Sequence, residues 1–383
     1  MNRRQKNRQK KREKPKRLAG DKRRENRKRT EKREEVSAIG RLTREMMSDV
    51  METALKKPIQ TGEFRKRPVE PAWRCPAGYV YRLVELDACT MEYLTPEDAV
   101  TGRVILQLHG GGYIGPMKNI YRRFAVRYSK LSYGADVLSV DYRVAPEHPF
   151  PAALEDAAAA YRWLLEEKGY EPDKIVVAGD SAGGGLALSL IMYLKDQKLP
   201  LPGGIITMSP WTDVTLSGES YESNYEIDPL FGNSRENMLY QCSYIGDAGP
   251  EEFLTFPLLF GDFSDLPPML MQAGEYEVLL SDTLQVSEKA KKAGVKVRTS
   301  IYAGMFHVFQ MGLDLIPESR EAWEEVGEFL RIIYGIQRTD DGKPVKKVKN
   351  RRPEADARAR ELLKAMIRGE LSGGGKEQEG EKQ

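Results

Sequence analysis

Cysteine and histidine are scarce in this chain, with three of each among 383 residues. The cysteines are odd in number and lack the spacing of a metal site, which argues against a disulfide framework or a cysteine-bound metal. They are Cys75, Cys89 and Cys242. This usage favours a reducing compartment, so we expect a cytoplasmic protein. Any histidine chemistry must come from His109, His148 or His307.

Long apolar runs are also absent from the sequence. No stretch reaches the roughly 18 apolar residues that would indicate a membrane span. The charged N-terminal stretch lacks the apolar segment of a secretory signal. The sequence contains no internal repeat. We therefore expect a globular protein of one or two domains, with neither a membrane span nor a signal peptide.

Charge is unevenly distributed, although the formal net charge is only +3. Residues 1–35 contain 18 Lys and Arg against six Asp and Glu, and residues 337–383 contain 13 against nine, which leaves about −13 on residues 36–336. We predict a disordered basic tail over 1–35, one domain over 36–336 and a flexible charged tail over 337–383. The first tail favours weak polyanion binding over a specific nucleic-acid function, because it has no interleaved aromatic residues.

Between these tails, β-strand and α-helix patterns alternate along the chain. Short apolar runs predict strands, and apolar residues at helical spacing predict helices. The alternation predicts an α/β fold, a mostly parallel sheet covered by helices on both faces. Two earlier runs, "YVYRLVEL" and "CTMEYLT", predict an antiparallel pair at one edge. The predicted strands are 103–108, 136–140, 174–178, 204–209, 268–273 and 295–302, and the predicted helices are 121–131, 154–165, 186–194, 284–293 and 320–334.

Two regions interrupt the alternation. Residues 36–57 have apolar residues near helical spacing, and residues 211–249 form a long aromatic-rich stretch between two strands. A long insertion in a compact domain is often a lid or another functional element. The alternative is a surface excursion without a function.

The stretch "KIVVAGDSAGGGLAL" places Ser181 between a buried strand and a helix. A side chain at so short a joint is held in a strained conformation, and the residues two positions away must be small; here they are Gly179 and Gly183. The serine hydroxyl would then lie beside the helix N-terminus, where free N–H groups stabilise an anion. A glycine-rich nucleotide-binding turn is disfavoured, because the sequence has no G-x-G-x-x-G and no Lys-Ser/Thr pair after these glycines.

The three histidines fall in different contexts. His109 begins the glycine run of "LHGGGY" at the end of a predicted strand, a pattern typical of an oxyanion hole. His148 lies among prolines and favours a structural role. His307 follows the last predicted strand, where open α/β sheets bind ligands, and it comes after Ser181 in the chain as a hydrolase base does.

The acid that would orient His307 has three candidates. Glu275, Glu277 and Asp282 follow the predicted strand 268–273. A carboxylate at this edge of the sheet would hold the imidazole in its useful tautomer. Spacing alone does not choose among the three, and each could equally be a surface carboxylate.

Residues 70–335 resemble the hormone-sensitive-lipase-like carboxylesterases of the α/β-hydrolase fold. The resemblance rests on four motifs in that family's order, "HGGGY", "DYRVAPEHPFPAALEDA", "GDSAGG" and "HVFQ". It implies a helical cap built from an N-terminal helix and an insertion after the sixth strand, which here would be residues 36–57 and 211–249. The charged tails have no counterpart in the family pattern.

The resemblance also implies site residues. Ser181 would be the nucleophile and His307 the base, and the N–H groups of Gly111, Gly112 and Ala182 would form the oxyanion hole. Many members have Asp-Pro-Leu where this chain has Glu277-Val278-Leu279. When the chains are aligned on the preceding strand and Gly274, Glu277 takes the position of the acid.

The function expected from these residues is hydrolysis of small-molecule esters through an acyl-enzyme, without a metal or cofactor. The aromatic and methionine-rich cap predicts short to medium acyl chains. The alternatives are an amidase or deacetylase with the same triad, and a ligand-binding receptor on a hydrolase scaffold, which would be expected to lack a triad member.

Overall fold

The computed structural model describes residues 36–51, 63, 70–98, 101–246 and 262–336. The elements below all lie in one compact unit, which begins at Ser37. The predicted tails over residues 1–35 and 337–383 lie outside the described residues. The strands are β1 (Tyr79–Glu85), β2 (Thr90–Pro96), β3 (Val104–Leu108), β4 (Asp136–Asp141), β5 (Ile175–Asp180), β6 (Gly204–Met208), β7 (Met269–Gly274) and β8 (Val297–Tyr302).

All eight strands belong to one sheet, in the order β1-β2-β4-β3-β5-β6-β7-β8. β2 pairs antiparallel with both β1 and β4, and every other neighbouring pair is parallel. The sheet confirms the predicted, mostly parallel arrangement with an antiparallel pair at one edge.

Seven α-helices occur within the described ranges. They are α1 (Ala38–Met51), α2 (Asn119–Leu131), α3 (Ala152–Glu166), α4 (Ser181–Asp196), α5 (Ser220–Ser223), α6 (Leu280–Lys292) and α7 (Pro317–Ile333). Each helix predicted between residues 121 and 334 is present, with bounds that differ from the expected ones by up to five residues.

The central strands are apolar because helices cover both faces of the sheet. Every residue of β3, β5, β6 and β7 is buried. Leu106 and Val177 pack in a core cluster with residues of α3, α4 and α6. Their strand neighbours Ile105 and Val176 point to the other face, into a cluster with residues of α2 and α7. The predicted α/β-hydrolase architecture with helices on both faces is confirmed.

Helix α6 begins at Leu280, four residues before the start that its apolar spacing predicts. Its first turn contains Ser281 and Asp282, which are buried polar residues. The N–H of Ser281 donates to Ser220 Oγ at 2.8 Å. Hydrogen bonds to a distant segment therefore stabilise this turn, and periodicity of apolar residues cannot reveal it.

The two interrupting regions differ in structure. Helix α1 confirms helical structure in the first, whereas residues 52–57 lie outside the described ranges. In the described part of the second, residues 211–246, the one α-helix is the single turn α5, and the rest consists of turns and irregular backbone. The N–H of Trp211 donates to the carbonyl of Ser181 at 2.9 Å, so this insertion starts directly beside the β5–α4 joint. Residues 247–249 lie outside the described ranges.

Candidate active site

The joint between β5 and α4 holds Ser181 in a left-handed conformation, with φ of +52°. Such a conformation costs a non-glycine residue about 1–3 kcal/mol and is common at functional sites. A Cβ on Gly179 would lie 2.1 Å from the carbonyl oxygen of Gly183, and one on Gly183 would lie 2.2 Å from that of Leu108. Both flanking positions therefore require glycine, as the sequence predicts.

His307 lies in the loop after β8, and its imidazole faces Ser181. Its Nε2 is 2.9 Å from Ser181 Oγ. The following residue, Val308, has φ of +48°, and its N–H donates to Ser209 Oγ at 3.1 Å. The ring of Phe231 packs edge-on against the imidazole, with ring centroids 5.0 Å apart. The loop is thus fixed in an orientation that points Nε2 at the serine.

Glu277 lies in the turn after β7 and is fully buried. Its Oε2 is 2.8 Å from Nδ1 of His307. Its Oε1 accepts the N–H of Gly274 at 2.8 Å. Both carboxylate oxygens therefore have a partner, and the one facing the imidazole favours the tautomer that has its proton on Nδ1.

The other two candidate acids have different partners. Glu275 Oε2 accepts the N–H of Gly304 at 2.9 Å. Asp282 lies in the first turn of α6, where Oδ2 accepts the N–H groups of Thr212 and Asp213 at 2.6 and 2.9 Å. Burial raises the pKa of Asp282 to about 8. Of the three carboxyl groups, the structure brings Glu277 to His307.

The glycine run after β3 passes beside Ser181. The backbone of Gly111 and Gly112 has positive φ, +122° and +62°. A Cβ on Gly112 would lie 2.0 Å from Sδ of Met238. Among the described residues, none accepts a hydrogen bond from the N–H of Gly111 or Gly112. The N–H of Ala182 lies in the first turn of α4, where helices leave such groups unpaired. These three N–H groups can donate hydrogen bonds to an oxygen that develops negative charge near Ser181.

His109 and His148 take no part in the hydrogen bonds that connect Ser181, His307 and Glu277. The His109 ring stacks on Tyr142 with centroids 4.1 Å apart, and its Nδ1 is 2.7 Å from the carbonyl of Gly110. His109 therefore packs against the start of the glycine run and contacts its backbone. His148 is exposed on the surface, and its N–H donates to the carbonyl of Val144 at 3.0 Å.

Asp180 is a buried carboxyl group that the motif contains but that sequence reasoning did not single out. Its Oδ2 accepts the hydroxyl of Tyr121 at 3.2 Å. Burial raises its pKa to about 7, against the opposing effects of His307 and the Tyr121 hydrogen bond. A Cβ on Gly110 would lie 2.4 Å from Oδ2 of Asp180, so the carboxyl group packs directly under the glycine run. Its position within "GDSAGG" was the available signal.

A cavity of about 480 Å³ opens beside Ser181 and His307. Its lining is mostly apolar, as expected for a pocket that takes an acyl chain. Helix α1 contributes Thr43 and Met47, and the insertion contributes Leu230, Phe231 and Met238. Both interrupting regions therefore line one cavity with the candidate nucleophile.

The described residues contain no group of three or more His, Cys, Asp and Glu residues that could hold a metal ion. No helix among them has the length and apolar character needed to cross a membrane.

Comparison with known proteins connects this site to a family. The sequence pattern of the α/β-hydrolase fold family matches residues 105–311. The chain is 38% identical over 253 residues to an acetyl-hydrolase from Streptomyces hygroscopicus, covering 66% of this chain and 83% of that protein. An esterase of the bacterial hormone-sensitive lipase family superposes with a TM-score of 0.68 at 32% identity, covering 78% of this chain and 99% of that one.

A second solved structure is EstE5 soaked with p-nitrophenyl butyrate. It is 34% identical to this chain and superposes with a TM-score of 0.68, and the alignment covers 78% of this chain and 98% of EstE5. Fold, motifs and relatives agree on the class of protein, an α/β-hydrolase. The chain belongs to that fold family and, within it, to the hormone-sensitive-lipase-like esterases, so it is a carboxylic ester hydrolase.

Proposed function

We propose that this esterase is a serine carboxylesterase with Ser181 as nucleophile, His307 as general base and Glu277 as the acid that orients it. The observation that carries the proposal is the continuous chain of hydrogen bonds between them, 2.9 Å from Ser181 Oγ to His307 Nε2 and 2.8 Å from His307 Nδ1 to Glu277 Oε2. All three side chains are buried.

The proposed reaction begins when Ser181 Oγ attacks the acyl carbonyl and gives its proton to Nε2 of His307. The buried carboxylate of Glu277 stabilises the imidazolium that forms. The negative charge on the carbonyl oxygen is taken up by the N–H groups of Gly111, Gly112 and Ala182. His307 then protonates the departing alcohol, which leaves an acyl ester on Ser181.

The second half repeats these roles with water. His307 takes a proton from the water molecule, which attacks the acyl ester, and then returns a proton to Ser181 Oγ as the acid leaves. Every proton moves between side chains of this chain, substrate and water. The proposed mechanism therefore calls for no cofactor.

The proposed substrates are small esters with short to medium acyl chains. The cavity of about 480 Å³ is of the size that binds small molecules. Two relatives support the choice by their names, the acetyl-hydrolase and EstE5, which was soaked with p-nitrophenyl butyrate.

A p-nitrophenyl ester series from acetate to palmitate tests the proposed substrate range. We expect kcat/KM to be highest between acetate and octanoate and to fall towards palmitate. Emulsified long-chain triglyceride as the best substrate would contradict the proposal.

We also propose a cytoplasmic location for the protein and a polyanion-binding role for residues 1–35. The low cysteine content supports a cytoplasmic location, and Cys75, Cys89 and Cys242 are free thiols. The charge of residues 1–35 supports weak polyanion binding that is separate from catalysis.

A further inference from the structure

The turn that carries Glu277 is bound from outside its own strand. Asn224, which follows α5 in the insertion, donates from Nδ2 to two carbonyl oxygens of this turn. They are those of Glu275, at 3.0 Å, and Glu277, at 2.9 Å. One amide side chain thus binds the peptide unit that joins Glu275 to Tyr276 and the one that joins Glu277 to Val278. The insertion thereby restrains the backbone from which the Glu277 side chain projects.

Asp228 binds the same turn and also the segment beside His307. Its Oδ2 accepts the N–H of Val278, the residue after Glu277, at 2.8 Å. Its Oδ1 accepts the N–H groups of Leu230 and Phe231 at 2.7 and 3.0 Å. Phe231 in turn packs edge-on against the imidazole of His307. One carboxylate therefore connects the backbone of the acid with an aromatic ring that supports the base.

The environment of Asp228 requires two oxygens that accept hydrogen bonds. The residue is 2% exposed, and burial raises its pKa. Three backbone N–H groups point at its two oxygens, and hydrogen bonds from such donors favour the charged form. An amide at this position would direct NH₂ at one set of these donors, which would disrupt that half of the contact.

We propose that Asn224 and Asp228 are positioning residues for the Glu277–His307 pair, through which the insertion sets the geometry of the acid and the base. The inference rests on the proposed triad and goes beyond it, because neither residue touches the reacting atoms. A misplacement of about 1 Å in a catalytic group can cost about 100-fold in rate. Residues that fix both ends of the Glu277–His307 hydrogen bond should therefore act on kcat.

The first test is Asp228→Asn assayed with p-nitrophenyl butyrate. We expect kcat to fall at least about tenfold and KM to change by less than about threefold, because Leu230 and Phe231 keep the side chains that line the cavity. Asp213→Asn is the matched control. Asp213 is also a buried carboxylate of the insertion, but it accepts the N–H groups of Thr215 and Ser217, at 2.8 and 2.9 Å, within its own segment. That control should keep kcat within about twofold of the wild type.

A double-mutant cycle separates positioning from a general loss of structure. If Asp228 acts mainly through Glu277, Asp228→Asn in a Glu277→Gln background should lower kcat by less than about threefold, because only its contact through Phe231 to His307 still has an effect. Asn224→Ala is the second variant, with an expected loss of about three- to tenfold that also disappears in that background. If Asp228→Asn does not fold, Asn224→Ala decides the question by the same criterion.

Two results would overturn the inference while leaving the esterase intact. One is an unchanged kcat in folded Asp228→Asn and Asn224→Ala, and the other is an equal fold-loss in both backgrounds. A wild-type protein with no turnover of any ester in the series would instead refute the proposed function itself.

Discussion

Three carboxyl groups lie in or just after the turn that follows β7, and their hydrogen bonds differ. Glu277 is hydrogen-bonded to the imidazole of His307. Glu275 accepts the N–H of Gly304, and Asp282 accepts backbone N–H groups of the insertion. The sequence could not separate them by spacing, because each partner is distant along the chain. The alignment on Gly274 does indicate Glu277, and the geometry agrees with that alignment.

Replacement of each acid by its amide should separate their roles. We expect Glu277→Gln to lower kcat at least about 100-fold, because the amide keeps the shape but removes the charge that stabilises the imidazolium. Glu275→Gln and Asp282→Asn should each cost less than about tenfold in kcat per folded molecule. Kinetics with p-nitrophenyl butyrate, with folding checked by circular dichroism, measure this. A large loss in Asp282→Asn with a small one in Glu277→Gln would refute the proposed acid.

Asp180 should make stability depend on pH. Burial raises its pKa to about 7 in the folded state, against 3.8 for the free group. Between these values the folded protein retains a proton that the unfolded chain has lost, so this group's contribution falls as pH rises towards 7. The Asp180→Asn variant lacks this titration. Its free energy of unfolding relative to wild type should therefore rise with pH, by at most about 1.4 kcal/mol per pH unit between about 4 and 7.

Urea unfolding of both proteins at several pH values between 5 and 8 measures that difference directly. Other titrating groups are shared, so their effects cancel to the extent that Asp180 does not shift them. A difference that is constant with pH, or that falls between pH 5 and 7, would show that the buried carboxyl group does not titrate in this way.

Elements built from local contacts were predicted best. The β5–α4 joint depends mainly on Ser181 and two glycines within five residues, so the motif predicts it, although Gly183 also packs against the distant carbonyl of Leu108. The start of α6 and the irregular path of residues 211–246 depend instead on long-range hydrogen bonds, such as Ser281 N–H to Ser220 Oγ. Periodicity of apolar residues contains no information on such contacts, which explains why the helix start was misplaced by four residues.

Helix α1 should influence acyl-chain selectivity through Met47, which lines the cavity beside Ser181. Met47→Ala removes several side-chain atoms and lengthens the available space. We expect the ratio of kcat/KM for octanoate to that for butyrate to rise at least about threefold, a modest part of the roughly tenfold or larger effect that one methylene can have in an apolar pocket.

The matched control is Met46→Ala on the same helix, because Met46 is not among the described residues that line this cavity. It should leave the octanoate-to-butyrate ratio within about twofold of wild type. Equal changes in the two variants would mean that α1 affects selectivity only through general destabilisation.

The candidate nucleophile, base, acid and glycine run all lie at one edge of the sheet. Parallel strands β3, β5, β7 and β8 all end at this edge, and each is followed by one part of the site. That these parts meet could be predicted from the motifs, because each motif follows a predicted strand and the carboxyl ends of parallel strands lie at the same edge of the sheet. The cavity shape could not, since α1 and the insertion line it through contacts between distant segments.

Deletion of residues 1–35 tests the predicted separation of tail and catalytic domain. We expect kcat/KM for a neutral ester to change less than about twofold, because the tail is proposed to bind polyanions by charge alone. Binding to heparin or DNA should weaken on deletion, and for the full chain it should weaken as salt rises. A tenfold loss of kcat/KM in a folded deletion variant would place residues 1–35 in the active-site architecture.

The central claim is that Ser181 is the nucleophile, and the kcat of Ser181→Ala tests it most directly. The substitution removes one hydroxyl group from a buried site without adding volume. With p-nitrophenyl butyrate, and with folding verified, we predict a loss of at least about 1000-fold, leaving only the effects of binding and of the oxyanion donors. A Ser181→Ala variant that keeps a tenth of wild-type activity would contradict the proposed mechanism.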